Sequence, residues 1–122
     1  MNHHTLDINF SISSIGSVLL VNISEEIDDN SVNKLLESLA GAIVKSGSKG
    51  VIIDLSNIEV VDSYLASKLS TIASMASLLK AKAIVCGLKS PTIITLLEFG
   101  IKISGVEFAL DVDNALEKLK SE

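Results

Sequence analysis

Polar and apolar residues alternate from residue 6: Leu6, Ile8, Phe10 and Ile12 share one face of residues 6–13, the period of a half-buried strand. Gly16-Ser17 marks a turn, and residues 18–23 (VLLVNI) read as a second strand. The period then changes. Beyond the polar, acidic stretch 24–30 (SEEIDDN), Val32, Leu35, Leu36, Leu39, Ile43 and Val44 recur at helical spacing. An amphipathic helix is therefore predicted over 31–46, entered through cap-forming Asp and Asn residues and closed by Gly47 and Gly50. Residues 51–55 (VIIDL) are an apolar run of strand length, predicted to be covered on both faces. A second helix is predicted over 63–79, introduced by Asp62, and residues 82–87 (KAIVCG) form another buried strand. Ser90-Pro91 reads as a cap followed by proline in a first helical turn. That helix runs through Ile93, Ile94, Leu96 and Leu97 and stops at Gly100. A short strand within 103–109 and a last helix, capped by Asp111 and containing Ala115, Leu116 and Leu119, complete the pattern.

The order ββαβαβαβα predicts an α/β fold, with parallel strands joined by right-handed crossovers and about four helices packed on a mixed, mostly parallel sheet. The loops at 24–30, 56–62 and 87–90 follow the C-terminal ends of the parallel strands. They should converge at one edge, where sites in such folds gather. With 122 residues and no repeat, low-complexity tract or linker, the chain reads as one domain spanning residues 1–122.

Composition removes several function classes. A hydrophobic content of 48% excludes a disordered chain, which has too little apolar surface to offset its lost entropy. No apolar run approaches the ~18 residues that span a bilayer, so no membrane partner is expected. Met1-Asn2-His3-His4 lacks the basic start and apolar block of a signal peptide, and the expected location is the cytoplasm. The single cysteine, Cys86, lies in the apolar run Ala83-Ile84-Val85-Cys86 and reads as a small buried hydrophobe. Net charge is −5, the 10 basic residues are scattered, and one Tyr, three Phe and no Trp leave little for base stacking. Nucleic acid is therefore not an expected partner.

Enzyme signatures are missing as well. The sequence has no glycine-rich phosphate loop, no zinc-type Cys/His spacing and no nucleophile elbow. His3 and His4 lie near the chain end and read as a solvated tail rather than a metal site. Asp28 and Asp29 are paired carboxylates capable of acid–base work, but a helix-capping acidic turn is the simpler reading. No catalysis and no cofactor are expected.

The informative segment is Asp54-Leu55-Ser56-Asn57-Ile58-Glu59-Val60-Val61-Asp62-Ser63-Tyr64-Leu65-Ala66. It resembles the STAS family, named for sulfate transporters and anti-sigma-factor antagonists: a strand ending in Asp-Leu, a short turn, an apolar pair, then Asp-Ser opening a helix. Glu26-Ile27-Asp28-Asp29-Asn30 resembles the family's acidic loop before the first helix, and Gly87 through Gly100-Ile101 its downstream strand-to-helix passage. The likeness thus covers nearly the whole chain. Within the family, Asp62-Ser63-Tyr64-Leu65-Ala66 is more similar to the single-domain scaffold of the stressosome than to free antagonists, which usually show Asp-Ser-Ser-Gly.

The resemblance implies a phosphorylated residue at Ser63, with Asp62 beside it, in a non-catalytic protein-binding module. The implied partners are a serine/threonine switch kinase that is bound and released, related STAS-domain proteins in a large assembly, and a phosphatase that resets Ser63. Two alternatives stand beside the scaffold: a free antagonist that binds an anti-sigma kinase, and the regulatory STAS domain of an anion transporter.

The chemistry of the position agrees. A helix N-terminus offers unpaired N–H groups and a positive dipole end, and a phosphate adds about −1.5 to −2 charges. Along the second helix, Ser63, Ser67, Ser70, Ser74 and Ser77 fall on one narrow stripe, opposite Leu65, Leu69, Ile72, Ala76 and Leu79. Lys68 is the helix's one charge. A smooth, uncharged outer face suits close packing of another protein; the plainer reading is a solvated serine face. The predicted docking surface is Asp62, Ser63, Tyr64, Ser67, Ser70 and Ser74, together with Asp28 and Asp29.

Overall fold

The computed structural model describes residues 5–6 and 9–121. Strands β1 (Thr5–Leu6), β2 (Phe10–Ile15) and β3 (Val18–Ile23) are followed by α1 (Asp29–Ser46), β4 (Gly50–Asp54), α2 (Ser63–Leu78), β5 (Lys82–Cys86), α3 (Ser90–Glu98), β6 (Glu107–Ala109) and α4 (Val112–Lys120). The six strands form one sheet in the order β1-β2-β3-β4-β5-β6. The first three are antiparallel neighbours, and β3 to β6 run parallel. This is the mixed, mostly parallel α/β sheet with four helices that the hydrophobic pattern predicts.

The sheet has two cores because its central strands alternate. On one face Val51, Ile53 and Val85 join Leu35 and Leu39 of α1 and Leu65, Leu69 and Ile72 of α2. On the other, Ile52, Ile84 and Cys86 pack with Ala115, Leu116 and Leu119 of α4. Both faces of β4 and β5 are therefore covered, which is why these strands are nearly continuous apolar runs. Cys86 is buried, as expected for a small hydrophobe. Burial, reinforced by the charges of Asp54 and Asp111, pushes its thiol up to about 12, so the reactive thiolate is suppressed.

Several boundaries differ from the sequence reading. Residues 6–13 are not one strand: Leu6 pairs with Ser11 and Thr5 with Ile12, so the chain reverses between β1 and β2. His3, His4, Ile8 and the side chain of Leu6 lie outside the described residues. Gly47 alone closes α1: its φ of 68° is left-handed, and its N–H donates to the Ile43 carbonyl. Gly50 instead begins β4, where the Leu119 side chain lies against it. Val44, at the edge of the helical stripe, is exposed. Ser90 does not cap α3; Lys89 occupies the cap position without a side-chain bond, and Ser90-Pro91 opens the helix. Proline needs no cap there, because its fixed φ is already helical and the N–H it lacks would have no partner in the first turn. The strand expected within 103–109 is confined to 107–109.

Candidate functional site

The loops after β3, β4 and β5 meet at the C-terminal edge of the parallel strands. The middle loop is fixed at its start. Asp54 Oδ1 accepts the Ser56 N–H at 3.0 Å, the Leu55 N–H donates to the Cys86 carbonyl, and the Ile58 N–H turns back onto the Leu55 carbonyl. Buried Ile58 and Val61 anchor the loop from below. The chain then emerges in extended conformation at Asp62, whose Oδ1 accepts the Leu65 N–H at 2.9 Å. That bond satisfies one of the first-turn donors a helix leaves unpaired. Ser63 is the first residue of α2 and is exposed.

A second helix start lies beside the first. Asp28 caps α1, its Oδ1 accepting the Ser31 N–H at 2.9 Å. This N–H, assisted by the Ser31 side chain, holds the Asp28 carboxyl below the usual carboxylate range. The capping reading of Asp28 thus has its geometry. Asp29 follows as the first residue of α1 and receives the Tyr64 hydroxyl at 2.6 Å. Lys68 Nζ stands 3.7 Å from the same Asp29 oxygen and 5.3 Å from the centre of the Tyr64 ring. Tyr64, Asp29 and Lys68 therefore tie the N-terminal turns of α1 and α2 together next to Ser63. On the far side, Lys89 Nζ meets Glu59 Oε1 at 2.6 Å, and the Thr92 hydroxyl donates to the Glu59 carbonyl, so the third loop joins the same edge.

The Tyr64 phenol is pushed from its ordinary 10.0 up to about 12, chiefly because its proton is engaged by Asp29, with desolvation and the charges of Asp29, Asp28 and Asp62 adding to the effect. The folded state thus holds this proton more tightly than the unfolded chain. The resulting stabilisation is complete below pH ~10 and is lost as pH rises from about 10 through about 12. Asp29→Asn should lower the Tyr64 midpoint towards 10, followed by absorbance titration of the chain's single tyrosine. An unchanged midpoint would show that the link between the helices does not form.

The serine stripe is not uniform. Ser63, Ser67, Ser74 and Ser77 are exposed, but Ser70 is half-buried. Its hydroxyl donates to the Ala66 carbonyl and accepts the Ser104 N–H at 2.8 Å. Ser70 thus clips the loop between α3 and β6 onto α2. The structure groups Asp28, Asp29, Asp62, Ser63 and Tyr64 at one edge and places Ser67 and Ser74 further along the helix. Sequence reasoning noted Lys68 only as the helix's lone charge, and it missed the Glu59–Lys89 pair altogether. Both contacts join residues far apart in the chain, and no local pattern marks them.

Among the described residues, no group of three or more His, Cys, Asp or Glu is placed to hold a metal ion. No described helix is long and apolar enough to cross a membrane. Residues 9–118 match the model of the STAS domain. The chain belongs to the STAS family. One solved relative is RsbS of Moorella thermoacetica, in a variant with glutamate in place of a serine: 34% identity, a TM-score of 0.74, and coverage of 90% of this STAS chain and 93% of the other. A chain from the molecular architecture of the stressosome, a signal integration and transduction hub, is 35% identical with a TM-score of 0.76, covering 90% of this chain and 96% of that one. The RsbT co-antagonist protein RsbRA of Bacillus subtilis is 29% identical over 80 residues; that match takes in 66% of this chain but only 29% of RsbRA.

Proposed function

We propose that this STAS domain is a phosphorylation-switched protein-binding module of a stressosome-type assembly, acting in the cytoplasm without catalysis of its own, and that Ser63 is the residue modified. The placement of Ser63 carries this reading. It is exposed on the first residue of α2, behind a cap that Asp62 already makes to Leu65. A phosphate there sits at the positive end of a helix dipole and leaves the cap and the buried face of α2 in place. It also adds about two negative charges to a surface that already carries Asp62, Asp28 and Asp29. The fold therefore tolerates the modification while the docking surface changes character. The relatives at 34–35% identity over nine tenths of the chain support the same class.

On this reading a serine/threonine switch kinase binds the unmodified face formed by the start of α2 and the acidic turn at Asp28 and Asp29. Phosphorylation of Ser63 releases the kinase, a phosphatase restores the first state, and related STAS-domain proteins hold the module in its assembly. The test supplies a serine/threonine kinase from the same operon with ATP. Mass spectrometry should place the phosphate on Ser63. Ser63→Ala should bind the kinase as the native chain does. Ser63→Asp should bind roughly 5–150-fold more weakly, the span of an ordinary coupling between two sites. Phosphate found mainly on Ser67 or Ser74, or full-strength binding by Ser63→Asp, sinks the assignment.

A further inference from the structure

Between α3 and β6 runs a groove of about 580 Å³, within the ~300–1,000 Å³ of small-molecule sites. Leu88, Ile101 and Ile103 line its inner part, half-buried against the main core. Leu97, Phe108 and Leu110 line it as exposed side chains. The polar residues of the lining are Lys102 and Ser104. Backbone groups around the groove are already engaged. The Ile101 N–H donates to the Leu96 carbonyl at 2.9 Å, and the Leu110 carbonyl accepts the Gly87 N–H at 3.2 Å. The Ser104 N–H donates to the Ser70 hydroxyl at 2.8 Å, and the Leu110 N–H to Asn114 Oδ1 at 3.1 Å.

We propose that this groove is a binding site for one free fatty acid, its aliphatic chain along the apolar lining and its carboxylate against Lys102. Three observations select that chemistry. The first is charge. The chain holds 15 acidic residues and a net charge of −5, yet no described Asp or Glu lines the groove and its one charged lining residue is a cation. Lys102 is exposed and forms no ion pair among the described residues, so its ammonium is available to an anion. The second is the shortage of hydrogen-bonding groups. A peptide or nucleotide laid along these walls would leave several of its own polar groups unpaired, at a cost in free energy for each, whereas a saturated chain has none to pair. Strand β6 beside the groove has only three residues, too short an edge to template an added strand. The third is size: at roughly 30 Å³ for each CH₂, close to the share of a water molecule in the liquid, about 10–16 carbons fit the volume. Each CH₂ taken from water into the groove adds to affinity, and the ammonium fixes which end of the ligand faces out.

This inference is independent of the Ser63 reading, and titration of the full chain with the fluorescent fatty acid cis-parinaric acid tests it. Fluorescence should rise and saturate at one ligand per chain. Dodecanoate should displace the probe more strongly than decanoate, by up to about 15-fold for two further CH₂ groups. It should also displace it roughly 2–5-fold more strongly than dodecanol, the worth of an exposed charge pair. Lys102→Gln should remove the preference for dodecanoate and leave the affinity for dodecanol unchanged; Lys49→Gln, ahead of β4, should alter neither. Leu97→Asp, at a position 77% exposed, should weaken dodecanoate at least tenfold with unchanged circular dichroism and thermal midpoint. Absence of saturable uptake, uptake indifferent to Leu97→Asp, or a carboxylate preference that survives Lys102→Gln overturns the proposal. So does retention on phosphatidylglycerol vesicles without uptake of the free acid, since the face then meets a membrane. Self-association that Leu97→Asp disrupts, again without uptake, makes a second copy the occupant and overturns it as well.

Discussion

Leu69→Ala should lower the stability of this domain by about 2–5 kcal/mol, the range for a leucine truncated in a core that only partly collapses around the cavity. Leu69 has 0% exposure and belongs to the main core with Ile53, Leu55 and Val85. It sits mid-way along α2, the helix that carries Ser63. Domains of this size hold only about 5–15 kcal/mol in total, and each kcal/mol moves the midpoint by a few degrees, so a fall of ~10 °C or more is expected. Leu78→Ala, on the same helix but 83% exposed, should stay within about 0.5 kcal/mol of the native chain. Urea titration of the two variants measures the contrast directly. Equal losses would mean that α2 does not present the Leu65–Leu69–Ile72 face to the sheet.

That face was legible in the sequence because a helix against a sheet must place apolar residues at helical spacing, and α2 has a single stripe of them. The same reasoning found the parallel order of β3, β4 and β5, and the meeting of the three loops at one edge follows from that order alone. It was less informative for α3. Ile93, Ile94, Leu96 and Leu97 announce a helix, yet periodicity does not say which apolar residues find a partner within the chain. Only Leu96 of these four is buried. The stripe of serines misled in a different way. Spacing places Ser70 with Ser67 and Ser74, but its hydroxyl is engaged by the Ser104 N–H, 34 residues away. The Tyr64–Asp29 bond spans 35 residues and depends on how α1 and α2 lie side by side, which no local pattern encodes. At the candidate site, the capping roles of Asp28 and Asp62 were readable; the clamp that joins the two caps was not.

Gly87→Ala should cost about 2–5 kcal/mol, although it adds one methyl group. Two effects combine. Gly87 has φ +82°, a left-handed conformation that costs a residue with a Cβ ~1–2 kcal/mol. A Cβ at this position would also lie 2.7 Å from Asp54 Oδ1 and 2.8 Å from the Ser56 backbone nitrogen. Crowding of this kind in a packed site costs ~1–3 kcal/mol. Neither neighbour yields freely, because the Asp54 carboxylate accepts the Ser56 N–H and that bond starts the loop leading to Asp62 and Ser63. Gly16→Ala separates the two effects: Gly16 has φ +59° but open space where its Cβ would stand, so it should lose only the backbone share. The difference between the two variants in thermal or urea unfolding then measures the crowding. Amide exchange should localise it, with the Ser56 N–H exchanging faster in Gly87→Ala than in Gly16→Ala. Equal stability losses, with Ser56 equally protected in both, would show that the β5 exit does not brace the loop that presents Ser63.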